Sequence, residues 1–565
     1  MTTTTTKRFA LTALQMAAAT LVLSACGGGG SDAPVTPPVV VPPAALAISG
    51  TAATGAAMAG ANVQVKCVGG TGSATSAPDG TYSTSVTGGA LPCVLSATSS
   101  DGKTTLRSVA PAGTSTTVVA NVTPLTEIIA AQIAGGDAAA LFTTFDANAQ
   151  AKLTTGGVTT AITAVTSALQ GTVDLTGLNP LTDALVAANG SKTGNALDQK
   201  LDALGAALKA GGTTVADVAA ALVANPTAPA VVQGLLKPAA TSCAALRSGT
   251  FHTLDPYNGT APVSTRVIDA VALTLTKPDA TVKTLTPVDG SACAFTTDNG
   301  TTSVYVASSG VMVLRYAQTQ SVSRAMLMVP DQTIPLAELA GTWNISMYGA
   351  EKFGDAFAPY YSVQTLDSAT NVTAGSDCTG LDACVAWIPR ASDVLVASTD
   401  GGFTQTDPEG TSARVFAVKT ASGQIALFGM LLDEDKKPRG WTFFSKQAAL
   451  TLPALGQVEN FWDVEINYNG ASTPVDVQTT VATVDSTALS YTRTRASDGR
   501  IDGYTVNKPR NGMRYRPAGT SASNTGGTIK FSESLTTPLK GFGLTLYSSI
   551  DSGAGNYFGV SVGKP

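Results

Sequence analysis

The chain contains one histidine, His252. A single imidazole cannot build a multi-histidine metal site. It could complete a nucleophile–histidine–acid triad, but no Gly-x-Ser-x-Gly elbow in a strand–turn–helix setting accompanies it. His252 follows Phe251 on a predicted strand, so the two side chains point to opposite faces, and its expected role is packing or surface. Asp433-Glu434-Asp435 offers oxygen ligands for a hard cation. Lys436, Lys437 and Arg439 follow at once and offset that charge, and the spacing matches no calcium loop, so a solvated turn is expected. Asp407-Pro408-Glu409-Gly410 likewise reads as a turn. No cofactor and no metal site are expected.

The most uneven chemistry lies near the C-terminus. Seven of the 34 basic residues fall within 24 positions: Arg493, Arg495, Arg500, Lys508, Arg510, Arg514 and Arg516, opposed only by Asp498 and Asp502. Tyr491, Tyr504 and Tyr515 are interleaved. Arg493/Arg495 and Arg514/Arg516 are each spaced by two, so each pair shares a face if the stretches are strands. Guanidinium forks suit carboxylate, sulfate and phosphate. The functional reading is one exposed basic face made by Arg493, Arg495, Arg514 and Arg516, taking an anionic surface polymer or an acidic protein. The plain alternative is a solvated sheet edge on which charge deters aggregation. Net charge is −5, so no nucleic-acid partner is expected.

The N-terminus carries an address. Lys7 and Arg8 precede an apolar run from Phe9 to about Leu23, short for a membrane span but suited to a signal peptide. The run ends Leu23-Ser24-Ala25-Cys26, which resembles the lipobox of bacterial lipoproteins. That resemblance implies acylation of Cys26, which becomes the new N-terminus, and a membrane partner held through the lipid. Gly27, where an Asp favours the inner membrane in that family, implies the outer membrane. Each buried acyl methylene contributes ~0.8 kcal/mol, so several chains on one cysteine anchor stably. Residues 27–45 follow as a Gly/Pro-rich tether, loose at Gly27–Gly30 and semi-extended at Pro34, Pro37, Pro38, Pro42 and Pro43. Of seven cysteines, six then remain for an oxidising compartment. They allow 15 pairings; proximity suggests Cys67–Cys93, Cys243–Cys293 and Cys378–Cys384.

The elements that must position these residues read as mainly β. Residues 46–122 alternate with period two at Ala61-Asn62-Val63-Gln64-Val65-Lys66, and Ala77-Pro78-Asp79-Gly80-Thr81-Tyr82 is a turn that starts a strand with Tyr82 inward. Together with Ile48-Ser49-Gly50 these segments resemble carboxypeptidase regulatory-like domains, which implies a transthyretin-like β-sandwich serving as spacer or interaction module. Thr123-Pro124 then suits a helix start, and 123–240 is predicted as a short all-α connector with helices at Asp183–Ala188, Asp198–Ala210 and Val215–Ala224.

From 241 on, three segments open alike, at Ser248-Gly249-Thr250-Phe251, Ala340-Gly341-Thr342-Trp343 and Asn460-Phe461-Trp462. Each closes with two apolar strands around a polar turn. Three tandem β-modules, sandwiches or small barrels, are predicted near 241–335, 336–452 and 453–565; one larger sheet assembly is the alternative. Gly341-Thr342-Trp343 resembles the Gly-x-Trp signature of lipocalins, in which the Trp closes one end of a ligand-holding barrel; a core Trp is the plainer reading.

Function is therefore expected to be non-catalytic: a surface lipoprotein for binding, adhesion or scaffolding. Two alternatives are a lipocalin-like carrier of a small apolar ligand near Trp343 and a hydrolase of extracellular polymer with a carboxylate pair hidden among 39 acids.

Overall fold

The computed structural model describes residues 45–565 apart from 191, 318–322, 379–380, 408–409, 468–469, 472–473 and 551–556. Cys26, the predicted leader and the predicted tether up to residue 44 lie outside the described residues, as do Pro408 and Glu409. The described chain is mainly β with several sheets. No single helix among the described residues is long and apolar enough to cross a membrane.

Two small sheets begin it. One orders Thr81–Thr87, Ala45–Thr51 and Thr117–Val119; the other orders Gly70–Thr75, Asn62–Val68, Ala90–Thr98 and Thr105–Ala110. Burial alternates along Asn62–Val68, as a half-buried strand requires. Ile48, Val65, Tyr82 and Leu95 meet between the sheets. Cys67 and Cys93 face each other in register and are bonded.

The helices cover one outer face of this sandwich, where Val94 and Val109 join Leu125, Ile128 and Ile129. The helix Pro124–Ala134 starts as its sequence dictates. The Thr123 hydroxyl accepts from the Thr126 N–H at 3.2 Å, and Gly135 ends it at φ 72°, a left-handed turn that suits glycine. Helices occupy Ala196–Gly211 and Val215–Ala224. The predicted helix at Asp183–Ala188 is absent; that stretch is a bend and irregular chain ending in one bridge residue, Ala188. The sandwich takes the backbone groups of this stretch instead. The Leu185 carbonyl accepts from the Thr51 hydroxyl, and the Asp183 carbonyl from the Asn121 amide.

Three nine-stranded antiparallel sheets follow. In each, the first strand pairs with an early strand of the sheet on one side and with the last on the other. Gly249–Leu254 pairs with Val263–Asp269 and Ser323–Pro330. Gly341–Gly349 pairs with Ala358–Leu366 and Pro438–Lys446. Val458–Asn467 pairs with Val475–Asp485 and Tyr557–Gly563. The sheets differ opposite that seam. The first ends at Val282–Thr284 and Thr286–Val288, and the second at Cys384–Trp387 and Val396–Ala397, so both are open half-barrels. The third closes. Gly470–Ala471 and Val475–Asp485 share one edge of Val458–Asn467, so its nine strands fill eight positions round a ring. The bond Cys243–Cys293 ties the two-stranded sheet of Ala239–Ala240 and Cys243–Arg247 to the first nine-stranded sheet, and Cys378–Cys384 links two paired strands of the second.

The sheets do not hang as separate beads. One face of each contributes to a common apolar core, with Leu254 and Leu327 from the first, Phe428, Trp441 and Phe443 from the second, and Trp462, Val464 and Phe558 from the third. The first two sheets are apolar on their other face as well, around Phe251, Phe295 and Met328 and around Trp343, Val415 and Phe444. Burial on both faces is why Val311-Met312-Val313-Leu314 and Ala426-Leu427-Phe428 are continuous apolar runs and do not alternate.

Candidate functional site: the lumen of the closed barrel

The strand Val458–Asn467 shows how the site arises. Trp462, Val464 and Ile466 enter the common core. Successive side chains oppose each other across a strand, so Phe461, Asp463 and Glu465 turn into the barrel, and all three line a cavity of about 830 Å³. The same alternation brings in Arg493 and Arg495 from Ser490–Arg495, Arg514 and Arg516 from Arg514–Arg516, and Tyr547 and Tyr557 from the last two strands. The third interior is thus charged and hollow, where the corresponding faces of the other two sheets carry apolar clusters around Phe251 and Phe295 and around Trp343 and Phe444.

The expectation of an exposed basic face is corrected here. Arg493, Arg495, Arg514 and Arg516 do share a face, but it is the inner one, and Arg514 and Arg516 are only 9% and 8% exposed. Ring closure converts one face of every strand into interior, and a spacing of two says only that residues share a face.

These guanidiniums are mostly paired, as buried charges must be. Arg493 donates to Glu459 at 3.3 Å and to the Tyr504 oxygen at 2.9 Å. Arg495 Nε donates to Asp498 at 2.8 Å. Asp502, 2% exposed, accepts from Arg500 and from Arg516, each at 3.0 Å. Arg514 differs: it donates to the Tyr491 oxygen at 2.6 Å and lies 5.2 Å from the Tyr504 ring centre, and no carboxylate among the described residues is within ion-pair reach. Tyr491 and Tyr504 stack at 5.4 Å and close part of the interior with Val481 and Val506.

The carboxylates lining the cavity, Glu459, Asp463 and Glu465, all come from one strand. Burial pushes the Asp463 carboxyl above its usual range, against hydrogen bonds from Ser561 and Tyr547 and the fields of Arg493 and Arg500. Burial, and then the Asp463 charge, also raise Glu465. Register links this acidic wall to the basic one. Glu465, Gly559, Tyr547, Thr536 and Arg514 are successive partners across adjacent strands, four steps in a ring of eight. Gly559 has a local reason: a Cβ there would lie 2.0 Å from the Tyr547 ring, so only glycine lets that ring lie across the lumen.

A pH test follows from Asp463. Its folded-state pKa is raised, so the native state binds the proton more tightly than the unfolded chain does, and stability is lost as pH rises through the folded value. Asp463→Asn removes the half-buried charge and keeps an acceptor for Ser561. The variant is expected to melt higher than wild type near neutral pH, with the difference vanishing below about pH 4, the unfolded aspartate value. Melting curves across pH check this; a variant that melts lower at neutral pH would refute it.

The other residues singled out lie elsewhere. Trp343 is fully buried in the second sheet's own core, and its indole N–H donates to the Leu339 carbonyl at 2.8 Å. It does not line the 460 Å³ cavity on that sheet. His252 is buried between the first two sheets, stacked on Phe416 at 3.9 Å with Nε2 3.0 Å from Asp331, a packing position. Asp433 closes a turn by accepting from the Lys437 N–H at 2.8 Å. Among the described residues no group of three His, Cys, Asp or Glu is placed to hold a metal ion. Sequence reasoning missed Asp463, Glu465 and Tyr547. The signal was present: Trp462-Asp463-Val464-Glu465-Ile466 alternates apolar with acidic, where Trp343 and Ile345 turn apolar side chains to the inside of their sheet.

No family model matches the chain, and no curated protein matches it. Solved structures with partial likeness include a protein of unknown function from the DUF3598 family of Nostoc punctiforme, at 12% identity and TM-score 0.16, over 41% of this chain and 99% of that one. A variant of transferrin binding protein B from Haemophilus parasuis matches at 9% identity and TM-score 0.19 over 54% of this chain. The isotype 1 transferrin binding protein B of serogroup B Neisseria meningitidis matches at 11% and 0.19, also over 54%. The chain spans 65% and 62% of those two proteins.

Proposed function

We propose that this chain is a lipid-anchored, extracytoplasmic binding protein that holds a small polar ligand inside its C-terminal barrel and does no chemistry on it. One observation carries the reading: of three nine-stranded sheets, two are open, while the third is closed and keeps a charged cavity of about 830 Å³ inside its ring. Charges withdrawn from water lower stability unless paired, so a hollow charged interior is poor value as mere scaffolding. Its size lies within the range of small-molecule sites.

The carrier reading gains from this geometry, with a polar ligand in place of an apolar one and with the third barrel in place of the Trp343 region. A macromolecular partner on an exposed Arg face loses its basis, because those side chains point inward. A hydrolase would need carboxylates on both sides of a bond, and the lining acids share one strand. The anchor rests on Leu23-Ser24-Ala25-Cys26, with Gly27 favouring the outer membrane. The transthyretin-like sandwich would then be a spacer above the tether.

Full-length protein purified from its own membranes is expected to carry a non-covalent small molecule in native mass spectrometry, and Cys26→Ser is expected to move the chain to the soluble fraction. Protein free of any solute, unstabilised by every member of a polar metabolite panel, would refute ligand storage. A Cys26→Ser chain still in the membrane would refute the anchor.

A further inference from the structure

We infer that the barrel ligand is a small hydroxyl-rich organic anion, such as an acidic sugar, whose carboxylate, sulfate or phosphate sits on Arg514. The inference rests on the lumen-binding reading and goes beyond it to the ligand's chemistry.

Charge on the basic wall does not balance. Five guanidiniums, Arg493, Arg495, Arg500, Arg514 and Arg516, meet three carboxylates, Glu459, Asp498 and Asp502. Asp502 already serves two of them. Arg514, nine-tenths buried, has a neutral phenol as its hydrogen-bond partner. The Nε groups of Arg493, Arg514 and Arg516 are all buried without an acceptor among the described residues. A buried guanidinium lacking an anion keeps the cost of desolvation without the compensating pair. The planar fork is matched by a two-oxygen acceptor, which carboxylate, sulfate and phosphate all supply. Arg514 is also held ready, between the Tyr491 oxygen and the Tyr504 ring.

The acidic wall does not meet this demand at Arg514. Asp463 and Glu465 belong to the strand half way round the ring from Arg514, with the Tyr547 ring on the register row between them. The cavity is also far larger than an inorganic ion, so the anion is one end of a molecule. The rest of it meets Asp463, Thr536, Thr545, Tyr557 and Ser561, side chains that exchange hydrogen bonds with hydroxyl groups.

The test is calorimetric titration of the full-length protein, stripped of solute, with glucuronate, glucose 6-sulfate, glucose 6-phosphate, inorganic phosphate and neutral glucose. At least one charged sugar is expected to bind with glucose on the order of a hundredfold weaker, and Arg514→Gln is expected to lose a similar factor. The ranking of the three charged sugars then identifies the oxyanion. Inorganic phosphate is expected to bind more weakly than the best of them; equal binding would remove the sugar body from the inference. Arg514→Lys keeps the charge and loses the fork, so an intermediate affinity supports the inference even if Arg514→Gln does not fold. Glucose binding as tightly as its charged analogues, or anions binding Arg514→Gln unchanged, would overturn the anion assignment while leaving lumen binding intact. Binding of no probe, by a protein that nonetheless carries a neutral solute from its membrane, overturns the assignment alone. Absence of both probe binding and a carried solute overturns both readings.

Discussion

Replacing Asp502 by Ala is expected to destabilise the protein by about 3–5 kcal/mol, the usual cost of stranding a buried charge. Asp502 is 2% exposed, and its two oxygens hold Arg500 and Arg516 at 3.0 Å each. Side-chain exposure of these arginines is 19% and 9%, so water can do little to replace the lost carboxylate. The loss exceeds that of a surface ion pair, whose median is about 0–1 kcal/mol. Two positive charges would be left on a wall already in surplus. Urea titrations of wild type and variant measure it directly. The double variant Asp502→Ala/Arg516→Met should recover part of the loss, because removing both members of a buried pair is far less costly than removing one. A single-variant loss under about 1 kcal/mol would mean that the lumen is wet enough to solvate these guanidiniums. The charge-balance case for an anion on Arg514 would then fall with it.

Local features were legible in the sequence because local physics decides them. Period-two alternation at Asn62–Val68, the Thr123-Pro124 helix start and the helices from Ala196 and Val215 are set within a few residues. The composition of Asp183–Ala188 permits a helix, while its backbone partners, Thr51 and Asn121, lie far away in the chain and decide against one. Closure of the third barrel is the extreme case. It depends on Val458–Asn467 meeting Tyr557–Gly563, across most of a module, and on the other two modules failing to close at Val282–Thr284 and Cys384–Trp387. No local pattern encodes that contrast. Without it Arg493, Arg495, Arg514 and Arg516 read as an outer face. The acidic half of the site was legible in principle, since Asp463 and Glu465 interrupt an apolar strand with period two. Its meaning needed the knowledge that Trp462, Val464 and Ile466 point to a core outside the barrel.

That outer core makes the closed barrel depend on its open neighbours. Phe443 of the second sheet is 2% exposed, stacks on Phe558 of the third at 5.5 Å and meets Phe428 edge-on at 6.1 Å. Phe443→Ala is expected to cost about 3–5 kcal/mol, the transfer energy of the ring plus the cavity it leaves. The loss should not stay in the second sheet. Phe558 lies on the strand that closes the barrel seam with Val458–Asn467, so hydrogen-exchange protection is expected to fall in Tyr557–Gly563 as well as in Pro438–Lys446. Phe295→Ala, in the first sheet's own core, is the contrasting variant: a comparable loss confined to the first sheet is expected. If Phe443→Ala lowers protection in Pro438–Lys446 alone, the three sheets fold as independent units and the common core is only a contact. If protection falls on both sides, the hollow lumen is held open from outside. Its inward charges need not contribute net stability, because Trp462, Val464, Phe558 and Val560 on the opposite faces of the same strands do.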